Sequence, residues 1–363
     1  MFGIIECMKN IFYDGAKLLS LKDINGNTPE LFICTSNRTA GKTTFFNRMV
    51  VNRWIKDNSK KFCLLYRFKY ELDNIPDKFF KDISTLFFQD YVMTAVTKAK
   101  GVYVELFLAD KDNGKKPCGY ALALNNADQI KKYSHLFSDV HSIIFDEFQS
   151  ETNHYCPKEV EKFLSIHTSI ARGGGRQRRY VPVYMISNPV TLLNPYYRAL
   201  GISNRLQDKT KFLRGDGFIL EQGHNESAEK AQKTSGLNRA FSQTTYSAYS
   251  SSGKYLYDQS AFIEKISGNN RYLCTVRFEG KEYGVREYAD QGLIYCDDRP
   301  DLTDKNRICV QTADHNTDYT LMRANNLFIT SLRYYFEKGL FRFKNVDCKN
   351  AILHLLSYRV DLL

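Results

Sequence analysis

Residues 31–44 read LFICTSNRTAGKTT. Leu31 to Thr35 is a short apolar run with β-branched and aromatic members, the pattern of a strand buried in a parallel sheet. Ser36 to Thr43 then reads S-N-R-T-A-G-K-T. That is the phosphate-binding pattern G-x-x-x-x-G-K-[ST] with one departure, because Ser36 stands where the first glycine belongs. From Phe45 to Lys56, apolar residues fall at Phe45, Met49, Val50 and Trp54, which predicts a helix. In a strand–loop–helix setting, the N–H groups of the loop and of the helix N-terminus point at one spot and hold an anionic phosphate. The candidate nucleotide-binding residues are therefore Ser36, Asn37, Arg38, Thr39, Ala40, Gly41, Lys42, Thr43 and Thr44. Gly41 lets the backbone come close, Lys42 reaches the β- and γ-phosphates of ATP, and Thr43 offers its hydroxyl to Mg²⁺. Taken alone, the run also fits a Gly-Lys turn opening an ordinary helix.

A second motif weakens that plainer reading. Ser142 to Glu147, S-I-I-F-D-E, is an apolar strand ending in two acids. Asp146 is placed to hold Mg²⁺ through water, and Glu147 to orient and activate the attacking water, which a hydrolase needs and a simple nucleotide binder does not. Asn188, in I-S-N-P, ends the next strand and is a candidate sensor of the γ-phosphate. Arg172 to Arg179 carries four arginines among three glycines. Arginine can stabilise a transferring phosphoryl group from a neighbouring subunit, and it also suits nucleic-acid phosphates. Arg172, at the end of the helix after the acids, is the favoured trans-acting finger and Arg176 the second choice.

Around these motifs strands alternate with helices. Strands are predicted at 61–67 and 181–186, a hairpin at 102–108 and 120–124, a helix from Pro157 to Ala171 and a short strand at 218–220. This is an α/β, P-loop NTPase domain with a parallel-rich sheet, expected over 1–222. Residues 223–260 are polar and Ser-, Gly-, Asn- and Gln-rich, and read as a linker with a short helix at 227–233. From 261 onward three short strands form an antiparallel meander, followed by helices at 326–336 and 350–358, a small α+β domain.

The chain has 363 residues, enough for two ordinary domains. Hydrophobic residues are 43% and charged residues 25%, which favours packed cores over disorder. Lys and Arg exceed Asp and Glu by 51 − 40 = 11. That excess favours a polyanionic partner such as nucleic acid, with an anionic membrane as the competing explanation. The nine cysteines form no CxxC pair and no zinc-spaced quartet with histidine, which suits a reduced, cytosolic protein. The opening MFGIIECMKNIF lacks signal-peptide features, and no run approaches the length of a membrane span, so no membrane partner is expected.

With these parts in place the chain resembles the double-stranded DNA packaging ATPases of small phi-29-like tailed bacteriophages, compact relatives of large terminase subunits. The resemblance rests on N-R-W-I-K after the loop helix, on Tyr66 to Leu72 (Y-R-F-K-Y-E-L), and on I-I-F-D-E-F at 143–148. It continues through P-K-E-V at 157–160, I-S-N-P-V-T-L-L-N-P-Y-Y at 186–197, F-I-E-K at 262–265, Q-G-L-I-Y at 291–295 and G-L-F-R-F at 339–343.

The resemblance implies a P-loop NTPase of the additional-strand, catalytic-glutamate type. It further implies ATP and Mg²⁺ at Lys42, Thr43 and Asp146, Glu147 as the catalytic glutamate, and Arg172 as the trans-acting arginine. Lys69 matches a lysine acting at the subunit interface, and Lys132 matches another approximately. Over 261–363 it implies a degenerate ribonuclease H-like nuclease domain. The first strand there, Tyr272 to Phe278, carries no acid, and that chemistry needs several carboxylates on two metals, so nuclease activity is expected to be absent. The implied partners are double-stranded DNA, further copies of the chain in a ring, expected as a pentamer, and the portal of the procapsid, with a packaging RNA as a further candidate. The implied location is the host cytoplasm, in transient attachment to the procapsid. The loop from Phe148 to Cys156 is one candidate DNA grip. Three other readings stay open: a helicase or helicase loader, a terminase with a working nuclease, and a non-enzymatic basic nucleic-acid-binding scaffold.

Overall fold

Leu31–Thr35 is a central strand, β1, and its Ile33 and Cys34 are fully buried, as a strand covered on both faces requires. The structure, a computed structural model, describes residues 12–110, 114–152, 154–173, 176–203, 205–206, 210–252, 255–256, 263–322 and 326–357. Eight further strands join β1: β2 Lys61–Tyr66, β3 Tyr91–Lys98, β4 Tyr103–Asp110, β5 Gly114–Ala123, β6 Val140–Asp146, β7 Val183–Ser187, β8 Phe212–Arg214 and β9 Phe218–Gln222. Their order across the sheet is β3-β4-β5-β2-β6-β7-β1-β9-β8. From β5 to β9 every neighbour pair is parallel, and the antiparallel strands β3, β4 and β8 lie towards the two edges.

One register relation positions everything that follows. Cys34 of β1 pairs with Ile186 of β7, and Ile186 pairs with Asp146 of β6. The C-terminal ends of the three strands are therefore level, and the phosphate loop, the acidic pair and Asn188 leave the sheet along one edge. β7 separates the loop strand β1 from the acid-bearing strand β6. In open α/β sheets this carboxyl edge is where ligands bind.

The helix Lys42–Lys56 starts directly after Gly41, whose φ of 94° is a left-handed conformation that glycine adopts without steric cost. Its buried face is Phe46, Val50, Val51 and Trp54, at helical spacing, while Phe45 and Met49 flank that face half-buried. Phe46 packs against Tyr184 of β7 with ring centroids 5.4 Å apart, and Tyr184 packs against Phe32 of β1 at 5.6 Å. The helix is thereby pinned over the two strands that aim the site. The predicted hairpin is present as β4 and β5. Pro76–Phe80 and Lys81–Phe87 are helical, and the next strand, β3, begins at Tyr91.

By internal contacts the chain divides into two compact units, Met1–Pro189 with Lys211–Gly253, and Val190–Thr210 with Lys254–Leu363. The linker expected over 223–260 is corrected for its described part. Glu226–Thr234, Gly236–Ala240 and Thr245–Ser252 are helices of the first unit. Their polarity misled the reading because they pair with polar loop backbone more than they bury apolar side chains. Residues 190–210, expected inside the ATPase domain, group with the second unit; Leu192, Leu193, Tyr196 and Tyr197 are buried there, and Asn194 caps the short helix Pro195–Ala199.

In the second unit, β10 Arg271–Phe278, β11 Lys281–Tyr288 and β12 Leu293–Asp297 form the predicted antiparallel meander. Three strands too short to read from pattern, β13 Arg307–Cys309, β14 Thr320–Leu321 and β15 Phe341–Phe343, extend it in the order β14-β13-β10-β11-β12-β15. The β10–β11 turn is held by Asp314, whose carboxylate accepts the N–H groups of Glu279 and Gly280 at 3.1 and 2.9 Å. Helices Leu327–Glu337 and Val346–Ser357 complete the unit; Tyr358, to which the last helix was expected to run, lies outside the described residues. Among the described residues no helix is long and apolar enough to cross a membrane.

Gly119 of β5 lies opposite Phe62 of β2, and a Cβ added there would sit 2.4 Å from the Phe62 carbonyl oxygen. Gly119→Ala is expected to lower the stability of the first unit by about 1–3 kcal/mol through overpacking against backbone. Denaturant unfolding checks this, and an unchanged midpoint would contradict it.

Candidate functional site

Thr43, the second residue of the loop helix, donates its hydroxyl hydrogen to Asp146 Oδ2 at 2.8 Å. The two sequence motifs, 103 residues apart, are thus in direct contact. They border a cavity of about 510 Å³ lined by Arg38, Thr39, Ala40, Gly41, Lys42, Thr43, Thr44, Asp146, Glu147, Ser187 and Asn188, with Phe12, Gln232, Asn238 and Ser250 at its margin.

Lys42 is buried and folded back on the loop. Its ammonium donates to Ser36 O at 2.9 Å, Ser36 Oγ at 3.1 Å, Asn37 O at 3.1 Å and Asn188 Oδ1 at 3.3 Å. Burial pushes its pKa down, and the neighbouring Asp146 carboxylate opposes that shift. Asp146 is pushed up by burial against the opposing hydrogen bonds from Thr43 and from the Glu147 N–H. Glu147 has a φ of 54°, a left-handed conformation uncommon outside glycine. Among the described residues its carboxylate has no hydrogen-bond or ion-pair partner. Burial and then the neighbouring charges of Asp146, Glu151 and Glu71 push its pKa up, the direction that suits a general base.

Ser36 does not strain the loop. The positive φ values fall at Thr39, 60°, and Gly41, 94°, and not at Ser36. Room for the serine side chain comes from elsewhere in the chain: a Cβ on Gly223 would meet Ser36 Cβ at 3.2 Å. The glycine missing from the motif is matched by one 187 residues later, where the Gly223 N–H donates to Thr35 O at 2.7 Å.

The helices Glu226–Thr234, with its cap Asn225, and Thr245–Ser252 hold the loop from one side. Asn37 is fully buried; its amide donates to Asn225 O at 2.9 Å and Ser251 O at 3.1 Å, and its Oδ1 accepts the Asn225 N–H at 2.9 Å. The Arg38 N–H donates to Ser250 O at 3.3 Å, and Gln232 Nε2 donates to Thr39 Oγ1 at 3.2 Å. Arg38 pairs with Glu151, which also accepts the Tyr249 hydroxyl at 2.6 Å. Burial works against the Glu151 carboxylate, but bonds from Tyr249, Arg38 and Asn188 hold its pKa below the usual value. From the other side, the Tyr13 N–H donates to Ala40 O at 2.7 Å. Sequence reading missed Tyr13, Glu151, Gly223, Asn225, Gln232 and Tyr249. Their partners lie too far away in sequence for local pattern to reveal them.

The remaining candidates lie outside the cavity. Lys69, on the turn Lys69–Leu72 after β2, donates to Lys100 O at 3.1 Å. Lys132 is exposed on the short helix Lys131–Phe137. The arginine-rich loop is only partly free. Arg178 pairs with Glu30, and Arg179 donates to the carbonyls of Val140, Phe137 and Ile170. Arg172 and Arg176 are exposed and, among the described residues, make no side-chain hydrogen bond or ion pair; Gly174 and Gly175 between them lie outside those residues. In the loop considered as a DNA grip, Phe148 and Gln149 are buried and Glu151 pairs with Arg38, while Thr152 and His154 are exposed.

The donors fit a nucleoside triphosphate with Mg²⁺. Ser187 Oγ, on the cavity wall, is buried with no partner among the described residues. The hydroxyl of Thr43 and the carboxylate of Asp146 are hard oxygen donors of the kind that would hold Mg²⁺. Among the described residues no cluster of three or more His, Cys, Asp or Glu could hold another metal ion.

A phosphate loop on β1, one strand between it and the acid-bearing strand, and a polar residue at that strand's tip define a P-loop NTPase of the additional-strand, catalytic-glutamate class. The chain belongs to the family of podovirus DNA encapsidation proteins (Gp16), which matches residues 7–360. It is 27% identical to the DNA packaging protein of Bacillus phage phi29 over 352 residues, 96% of this chain and 97% of that one. It is 27% identical to that of Bacillus phage B103 over 313 residues, 85% and 90% of the two. Among solved structures it shares its fold with a chain of the bacteriophage Phi-29 viral genome packaging motor assembly, at a TM-score of 0.51 and 24% identity, over 94% of this chain and 97% of that one. The Phi-28 gp11 DNA packaging motor is similar at a TM-score of 0.51 and 17% identity, over 96% and 99%.

The contacts of Asn37 predict that the helices of 226–252 and the loop act as one body. Asn37→Ala leaves the carbonyls of Asn225 and Ser251 short of a partner, at a cost of about 1–3 kcal/mol for each buried group left unpaired. Limited proteolysis should then cleave within 226–252 faster than in the wild type, with weaker binding of a fluorescent ATP analogue; unchanged cleavage and binding would count against the coupling.

Proposed function

We propose that the chain is an ATP-driven motor that moves double-stranded viral DNA into a preformed capsid. The observation that carries the chemistry is the contact between Thr43 and Asp146 beside Lys42 and an unpaired Glu147. The family carries the substrate.

In this reading Lys42 leaves the carbonyls of Ser36 and Asn37 for the β- and γ-phosphates, and Thr43 and Asp146 hold Mg²⁺, which supplies charge neutralisation at the phosphates when bound. Glu147 accepts a proton from the attacking water. Asn188, between Lys42 and Glu151, is placed to report the γ-phosphate to the wall built by Arg38, Glu151 and Tyr249. Arg172, exposed and without a partner of its own among the described residues, is supplied to the site of a neighbouring copy, with Arg176 as the second choice. That makes the working form a ring, which we take to be a pentamer, docked on the portal of the procapsid in the host cytoplasm, directly or through a packaging RNA. Lys69 and Lys132, both exposed, suit the same interface. The excess of 11 positive charges suits contacts to the DNA backbone, which should weaken as salt rises.

Shared sites make a complementation test available. Glu147→Gln and Arg172→Ala should each lower DNA-stimulated ATP turnover by about 10²–10⁴-fold, the range for a lost general base or finger. A mixture of the two inactive proteins should recover part of it, because some interfaces then carry both wild-type residues. No recovery at any ratio would overturn sharing.

The second unit supports a nuclease-like domain that does not cut. Apart from β15 added beside β12, the order β12-β11-β10-β13-β14, with an antiparallel first trio followed by parallel strands, agrees with a ribonuclease H-like sheet. Thr275 is buried on β10, Asp297 pairs with Arg286 at 3.1 Å and Asp298 pairs with Lys344, so the two acids at the end of β12 are each engaged by a cation. Plasmid incubated with the protein and Mn²⁺ should remain supercoiled; linear product would favour the rival reading of an active terminase.

A further inference from the structure

Arg67, the first residue after β2, is a buried cation on the far side of β6 from the phosphate loop. Its Nε donates to both oxygens of Glu159, at 3.1 and 3.0 Å, and the two side chains are 8% and 1% exposed. Its terminal nitrogen donates to the backbone carbonyls of Phe148 at 2.8 Å and Glu147 at 3.3 Å. The guanidinium also lies over the rings of Tyr155, at 5.0 Å, and Phe145, at 5.7 Å. Glu159 is the first residue of the helix Glu159–Ala171, and its Oε2 accepts the Cys156 N–H at 2.8 Å. One fork-shaped side chain therefore ties the backbone of the acidic motif to the loop after it and to the start of the helix that ends beside Arg172.

Arg67 and Glu159 do not line the cavity where the triphosphate is read to sit, and Arg67 reaches it only through the backbone of Glu147. They act on backbone, and they act where the backbone is least comfortable: Glu147 sits at a φ of 54°, a conformation that persists when its surroundings over-determine it. The Glu147 N–H is held by Asp146 Oδ1 at 2.9 Å and its carbonyl by Arg67, so both of its peptide groups are fixed while its carboxylate has no partner among the described residues.

We propose that Arg67, braced by Glu159, is a positioning residue that holds Glu147 in its left-handed conformation and so aims its carboxylate at the attacking water. Lysine cannot replace arginine in this role. An ammonium can pair with Glu159, but it lacks the rigid planar fork that reaches a carboxylate and two carbonyls together. Replacing both charges with apolar residues leaves no buried charge unpaired, although it releases the carbonyls of Glu147 and Phe148 and the Cys156 N–H, and such swaps of a buried pair are often tolerated by the fold. The proposal rests on the ATPase reading of the site, and the experiment separates the two.

The test uses the full chain as wild type, Arg67→Lys, and the double variant Arg67→Met with Glu159→Leu. The double variant guards against a single change that fails to fold. Three quantities are measured: ATP turnover with its kcat and KM, binding of a fluorescent ATP analogue with Mg²⁺, and hydrogen exchange of residues 145–152 without nucleotide. The expected result for both variants is a kcat lower by about 10²-fold, the scale of a misplacement near 1 Å. KM and analogue affinity should stay within about threefold, and exchange at 147–150 should rise about tenfold with β1 and β7 unchanged, because only the clamp on this segment is lost. Wild-type kcat and exchange in Arg67→Lys overturn the proposal alone. A kcat that falls only in step with lost analogue binding makes the pair merely structural and also overturns it. A wild type that binds the analogue but never turns it over overturns the ATPase reading, and the role of Arg67 in aiming a catalytic group falls with it.

Discussion

The level ends of three parallel strands, β1, β7 and β6, are the constraint on which the site depends. Pairing Cys34 with Ile186 and Ile186 with Asp146 leaves no freedom in where the phosphate loop, Asn188 and the acidic pair emerge. A one-residue slip would put the three strand ends out of level and force Ile33, Cys34, Ile143, Phe145, Met185 and Ile186, all buried, to repack in a close-packed interior. The hydrophobic core therefore sets the geometry of the polar site. The Thr43–Asp146 contact is what that register produces.

On this frame the site is closed from two directions by segments of different character. The apolar side is supplied by the loop helix, with Phe46 and Tyr184 fixing its start over the sheet. The polar side is supplied by the helices of 226–252, which hold the loop through Asn37 and Arg38. A buried carboxamide such as Asn37 is costly unless its bonds are made, and here both of its polar atoms are paired across 188 residues or more of sequence. The same logic explains Lys42. With its ammonium shared among Ser36, Asn37 and Asn188, the loop keeps a charged group buried at tolerable cost, and phosphate can replace those partners one for one.

Much of this was legible in the sequence. The strand, loop and helix at 31–56, the acidic pair at 146–147 and the tip residue Asn188 each carry a local signature, because each needs particular residue types at fixed short spacing. The β4–β5 hairpin and the β10–β12 meander were legible from alternation and turn chemistry. What pattern did not reveal were relations between distant segments. The span 226–252 looked like a linker because its helices contribute few apolar side chains; its order comes from polar bonds to the loop. Ser36 looked like a defect because Gly223, which makes room for it, lies in another part of the chain. The strands β13 to β15 are too short to show a period, and the segment 190–210 gives no sign in its composition of the unit to which it belongs.

The most direct measurement is a structure of the full chain with a non-hydrolysable ATP analogue and Mg²⁺. The account predicts the triphosphate at the tip of β1, Lys42 Nζ moved from Ser36 O to the β- and γ-phosphate oxygens, and the metal between the Thr43 hydroxyl and Asp146. An analogue bound elsewhere, or one bound here with Lys42 still on Ser36 and Asn37, would contradict it.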